Sequence, residues 1–183
     1  MQPHYFFAIT VPDHVKNELD SIRNNKSIEF KRWVHRDDLH LTLVFLGSCT
    51  EQQLNQIKDR FGKMIASFLP FQLMLSKAGV FGQKSKPRIF WVGVKEEPTL
   101  FAYQKELFKK CETLGFSLDK RPFSPHITLA RQWTGDASFT ELYLDQLVNN
   151  FDWEVNEIIL YESQLTGEPK YKAVKRFELG SLK

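Results

Sequence analysis

The sequence predicts an α+β fold of two similar lobes facing each other across a cleft, within one domain spanning residues 1–183. Three observations carry that reading. Strand-like and helix-like hydrophobic periodicities alternate along the chain. No Gly/Ser linker, low-complexity tract or long charge block divides it. A four-residue word also recurs, His40-Leu41-Thr42-Leu43 and His126-Ile127-Thr128-Leu129. Each copy follows a strand and a helix and precedes another helix and strand, which makes duplication a better explanation than chance alternation.

The elements follow in order. Residues 5–11 read as a strand, and Val15, Leu19 and Ile22 mark the apolar stripe of a helix after Pro12-Asp13. A strand over residues 30–34 leads through a polar turn, residues 35–38, to a strongly apolar strand over residues 39–46 that ends at Gly47. Thr50-Glu51-Gln52-Gln53 is a capping box opening a helix with Leu54, Ile57, Phe61 and Ile65 on one face. Strands over residues 71–78 and 88–94 flank a loop bearing glycine and lysine. Pro98 starts a helix carrying Leu100, Leu107, Cys111 and Leu114, and Gly115 stops it. A short strand over residues 126–131, a helix over residues 139–149, and closing strands over residues 155–161 and 174–179 complete the chain.

Composition narrows the class. With 42% hydrophobic and 26% charged residues, the chain is neither disordered nor fibrous. Its longest apolar runs are too short to span a bilayer, and the start Met1-Gln2-Pro3-His4-Tyr5 lacks the basic and apolar regions of a secretory signal. A cytoplasmic monomer is expected, with Cys49 and Cys111 as reduced thiols. The net charge of +3 permits a polyanionic partner without requiring one.

The repeated word carries the chemistry. On a strand, His40 and Thr42 share one face while Leu41 and Leu43 share the other, and the same holds for His126 and Thr128 against Ile127 and Leu129. That alternation suits a strand lining a wet cleft. Two facing imidazoles suit in-line displacement at phosphorus, where one takes a proton from the nucleophile and the other gives one to the leaving oxygen. The two threonine hydroxyls can stabilise charge on the non-bridging oxygens. No carboxylate–histidine spacing matches a metal-ligand set, so neither metal nor cofactor is expected, and there is no P-loop, nucleophile elbow or dinucleotide-binding turn. His4, His14 and His35 have no counterpart in the repeat and read as surface or structural.

At these residues the sequence resembles a known family. Trp33-Val34, the run Asp38-Leu39-His40-Leu41-Thr42-Leu43-Val44-Phe45-Leu46-Gly47 and the run Pro125-His126-Ile127-Thr128-Leu129-Ala130-Arg131 are similar to the two signatures of the 2H phosphoesterases. Within these, the resemblance is to the RNA 2′,3′-cyclic phosphodiesterases, also called 2′-5′ RNA ligases, and it runs over nearly the whole chain. It implies a bilobal fold with antiparallel sheets around a central cleft and helices outside. It implies metal-independent hydrolysis of RNA 2′,3′-cyclic phosphate ends, tRNA fragments among them, to 2′-phosphates. His40 is then the proton donor and His126 the acceptor, and a 5′-hydroxyl end in place of water would form a 2′-5′ bond. The resemblance also implies that Arg131 binds phosphate, although strict alternation aims it away from His126 unless a bulge re-aims it.

Two further features have weaker readings. Phe45 follows His40 by five residues as Arg131 follows His126, so it is either a base-stacking residue or core. Lys84, Lys86 and Arg88 either track RNA phosphates or solubilise a loop. Rival functions are an RNA- or nucleotide-binding module without turnover, a related enzyme acting on a small cyclic nucleotide, and a zinc hydrolase using the same histidines.

Overall fold

The structure, a computed structural model, describes residues 2–139, 148–149 and 151–181. Its strands divide into two matching sets. One contains β1 (Tyr5–Thr10), β3 (His40–Gly47), β8 (Glu157–Ser163) and β9 (Tyr171–Glu178). The other contains β4 (Phe71–Gln83), β5 (Lys86–Val94), β6 (His126–Trp133) and β7 (Asp152–Val155). They lie in the order β7-β4-β5-β6-β3-β1-β8-β9, with β2 (Phe30–Trp33) added beside β6, and every pairing is antiparallel. Read outward from its middle, the order gives β6-β5-β4-β7 on one side and β3-β1-β8-β9 on the other. That pseudo-two-fold arrangement is the structural form of the repeat. The two histidine strands meet at its centre, where Leu41 stands opposite Ile127.

Among the described residues three α-helices join the strands: α1 (Asp13–Ser21), α2 (Glu51–Ile65) and α3 (Pro98–Thr113). The capping box of α2 is formed, with the Gln53 amide donating to Thr50 Oγ1 at 3.2 Å and the Thr50 amide to Gln53 Oε1 at 3.0 Å. Its buried face carries Ile57, Phe61 and Ile65, and Phe61 stacks on Phe7 of β1 with ring centroids 5.2 Å apart. Burial of each such side chain contributes about 1.5–3 kcal/mol. Pro98 occupies the first turn of α3, and Gly115 just beyond it has φ +80°, a conformation that costs glycine least.

Several expected boundaries move. The strands expected over residues 71–78 and 88–94 extend to Gln83 and begin at Lys86, so the glycine- and lysine-bearing loop contracts to a tight hairpin end. Backbone pairing continues there through mostly half-buried or exposed side chains, which hydrophobic periodicity does not register. The strand ending at residue 131 continues to Trp133 because β2 pairs with that stretch. The strand expected over residues 155–161 is two strands interrupted at Asn156, β7 on β4 and β8 on β1. Because one residue joins them, the outer parts of the two strand sets must lie close together, and the sheet curls around its cleft face. The closing strand runs from Tyr171 to Glu178, earlier than expected. The helix expected over residues 139–149 falls mainly on residues outside those described.

Candidate active site

β3 and β6 place the repeated words side by side. Continuing the register around Leu41 and Ile127 by one residue each way sets His40 opposite Thr128 and Thr42 opposite His126. The four polar side chains therefore share one face, while Leu41, Leu43, Ile127 and Leu129 are buried on the other.

Both strands are bulged at the same place. Phe7 and Ala8 of β1 stand opposite Val44 and Thr42, leaving Leu43 as the extra residue. In the other half Phe90 and Trp91 of β5 stand opposite Ala130 and Thr128, leaving Leu129 extra. Each bulge buries two successive residues, Leu43-Val44 and Leu129-Ala130, and shifts the alternation beyond it by one. Arg131 thereby joins the face that bears His126. Its charge acts on His40, His126 and Tyr171 together: it adds to the lowering that burial imposes on the two histidines and opposes the rise that burial imposes on Tyr171. Phe45 is moved likewise, is 55% exposed and lines the cleft, so it is not core.

The imidazoles are held alike. His40 Nδ1 lies 2.6 Å from the Asp38 carbonyl oxygen and His126 Nδ1 lies 2.7 Å from that of Ser124. A carbonyl oxygen only accepts, so each Nδ1 carries hydrogen and each Nε2 is left for chemistry. His40 Nε2 is 3.0 Å from Thr42 Oγ1. Around His40 pack Phe6, Tyr161 and Tyr171, at 4.8, 6.1 and 5.0 Å between ring centroids. Around His126 stand Phe81 at 4.9 Å and Trp91 at 6.2 Å.

Burial is the main influence on both pKa values. It pushes His40 down to about 4, against the Asp38 carbonyl and carboxylate, which raise it, while Arg131 and His126 lower it further. His126 is lowered by burial first and then by Arg131, against the Ser124 carbonyl. Without substrate, both histidines are neutral at neutral pH. Beside His126 opens a cavity of about 680 Å³ lined by Phe45, Phe81, Phe108 and Phe123, with Arg88 and Arg121 at its edges. Its size and apolar walls suit a nucleoside.

Sequence reasoning missed several contributors. Asp38 is only 4% exposed, and its carboxylate accepts the Lys170 and Tyr171 backbone amides at 2.8 and 2.9 Å. It ties the start of β9 to the histidine strand. The residue stands two places before His40, but a backbone clamp of this kind leaves no periodic trace. Tyr171, Phe6 and Tyr161 reach His40 from three separate strands, which only the topology reveals. Lys86 and Arg88 lie on β5 at the hairpin, and both line a second cavity past Arg131. Among the described residues no group of three or more His, Cys, Asp or Glu is arranged to hold a metal ion, and no helix is long and apolar enough to cross a membrane.

Comparison with known proteins gives a consistent relationship. A family model described as the 2′-5′ RNA ligase superfamily matches residues 11–167. An RNA 2′,3′-cyclic phosphodiesterase of Geobacillus stearothermophilus is 38% identical over 96% of this chain, which spans 57% of that relative's length. One from Bacillus subtilis is 30% identical, covering 98% of each chain. Among solved structures, Escherichia coli LigT complexed with 3′-AMP superposes with a TM-score of 0.79 at 27% identity, over 98% of this chain and 99% of that one. A Thermus thermophilus protein reaches a TM-score of 0.82 at 24% identity over 98% of this chain and all of that one, a likeness of fold alone.

Proposed function

The chain belongs to the 2′-5′ RNA ligase superfamily, and from that premise we propose that it hydrolyses RNA 2′,3′-cyclic phosphate ends to 2′-phosphomonoesters by two-histidine acid–base catalysis. The observation that carries this reading is the pair of neighbouring strands presenting His40, Thr42, His126 and Thr128 on one face, each imidazole anchored through Nδ1. His126 Nε2 accepts a proton from water as its oxygen attacks phosphorus. The bond from phosphorus to the 3′-oxygen breaks, and His40 Nε2 delivers a proton to that oxygen. The phosphate remains on the 2′-oxygen. Thr42, Thr128 and Arg131 stabilise the charge gathering on the non-bridging oxygens.

The roles are those the family resemblance implies, with His40 the donor and His126 the acceptor. The Asp38 carboxylate is one neighbour that favours a proton on His40, and among the described residues no carboxylate does so for His126. Burial outweighs Asp38 in the free protein, so the donor is charged only when the substrate's phosphodiester anion enters. Substrate and proton therefore bind together, and the empty enzyme is spared a buried charge. Both histidines come from one chain, which supports a monomeric enzyme. Its place is the cytoplasm and its RNA includes tRNA fragments. Phe45, on the cleft rim, stacks a base. With a 5′-hydroxyl RNA end in place of water, the same site forms a 2′-5′ bond.

His40→Ala and His126→Ala test the reading. Each is expected to lower turnover of an RNA 2′,3′-cyclic phosphate by at least about 10²-fold, the usual contribution of an acid or base. A correctly folded variant with a near-wild-type rate excludes its histidine. On a substrate whose 3′-leaving group is a thiolate, His40→Ala regains much of its rate and His126→Ala does not. Rescue of His126→Ala instead reverses the roles.

A further inference from the structure

We propose that the cavity beyond Arg131 is a second phosphate subsite, which takes the RNA phosphodiester immediately upstream of the reacting end. The proposal rests on the function above and deepens it. The cavity has a volume of about 320 Å³, and its lining includes Arg32, Lys86, Arg88, Arg131, Gln132 and Trp133. Four cations thus converge from three strands. Arg32 of β2 stands directly opposite Arg131 of β6, and like charges in that relation repel. Among the described residues none of the four forms an ion pair. Cations gathered on neighbouring strands at the surface are kept apart by solvation, and an anion that bridges them would relieve their repulsion.

Backbone conformation marks the same place. Gln132, between Arg131 and Trp133, has φ +65°, which is uncommon for a residue with a side chain and falls here in the middle of a strand pairing. The geometry of the reaction supplies the identity of the anion. A cyclic phosphate closes the 3′ end of its strand, so every other phosphate of the substrate lies on the upstream side. Arg131 acts on both histidines and also lines this cavity. On the proposed function Arg131 holds the reacting phosphate, and it shares this cavity with Arg32 and Lys86, which are then placed for the next group of like charge.

Three substrates test the subsite: a nucleoside 2′,3′-cyclic phosphate with a free 5′-hydroxyl, the same compound with a 5′-phosphate, and a dinucleotide ending in the cyclic phosphate. Wild-type kcat/KM is expected to rise about tenfold or more from the first to the other two, the scale of a charge-assisted hydrogen bond. In Arg32→Gln combined with Lys86→Gln, both at exposed positions, the gain disappears while the 5′-hydroxyl compound keeps its wild-type rate. The variant also shows a salt dependence on the dinucleotide shallower by about one unit of log–log slope per lost contact. A neutral methylphosphonate linkage in the dinucleotide abolishes the gain for the wild type. Equal rates on all three substrates, or a variant that slows all three alike, would overturn the subsite and leave the proposed function standing. Absence of turnover on every cyclic phosphate would remove the function and the subsite with it.

Discussion

His40 and His126 are anchored identically yet differ in what surrounds them, and that difference has a measurable sign. Both pKa values are lowered on folding, His40 from 6.5 to about 4. Between those values the unfolded chain binds more protons than the folded one, so stability rises with pH through that window. It is fully present above about 6.5 and is lost as pH falls toward 4. Thermal melts from pH 7 to pH 4.5 should show this decline, and His40→Gln should flatten it. A variant that melts with the wild-type pH slope would mean that His40 is not held neutral by burial. On the substrate side, binding of a 2′-nucleotide should take up protons and weaken as pH rises, measurable by calorimetry in buffers of different ionisation enthalpy. These two residues were legible from sequence because the word around them occurs twice. Their environment was not, since Tyr171 and Phe6 reach His40 through tertiary contacts, and the Asp38 carboxylate clamps a distant strand, neither of which leaves a spacing signal.

Elements, rather than single residues, decide where the side chains aim. The matched bulges at Leu43 and Leu129 carry Phe45 and Arg131 onto the histidine face, which strict alternation denies them. A bulge leaves only two adjacent apolar residues as its sequence trace, and buried strands contain those everywhere. The Asp38 clamp is a second such device. Asp38→Asn replaces an oxygen that accepts a backbone amide with an amide group that cannot, leaving a buried donor unpaired at a cost of about 1–3 kcal/mol. The melting temperature and kcat should both fall, because Tyr171 and the carbonyl holding His40 shift together; unchanged values would show the clamp to be dispensable. Gly79 makes a third. A Cβ there would clash with the Trp91 ring, which packs against His126. Gly79→Ala should destabilise the protein by about 1–3 kcal/mol, as overpacking does, and slow turnover. A fully active variant of wild-type stability would show that Trp91 has room to move.

At the scale of the whole molecule, the repeat read from four residues becomes a sheet symmetric about the contact between β3 and β6. Helix positions were well marked by caps and stripes, as Thr50, Pro98 and Gly115 show, because those signals are local. Strand ends and the switch at Asn156 were not, because they depend on which distant strand is available for pairing. The symmetry is broken at the cleft. Five places after one histidine stands an aromatic ring and five places after the other a guanidinium, so the two lobes present unlike groups there. The decisive measurement is the end group formed when purified protein opens an RNA 2′,3′-cyclic phosphate in ¹⁸O-labelled water with excess chelator. Acid–base opening at the 3′-oxygen predicts 2′-phosphate ends that carry one ¹⁸O, at an undiminished rate. A 3′-phosphate end, a product without the label, or activity that chelator abolishes and metal restores would contradict it.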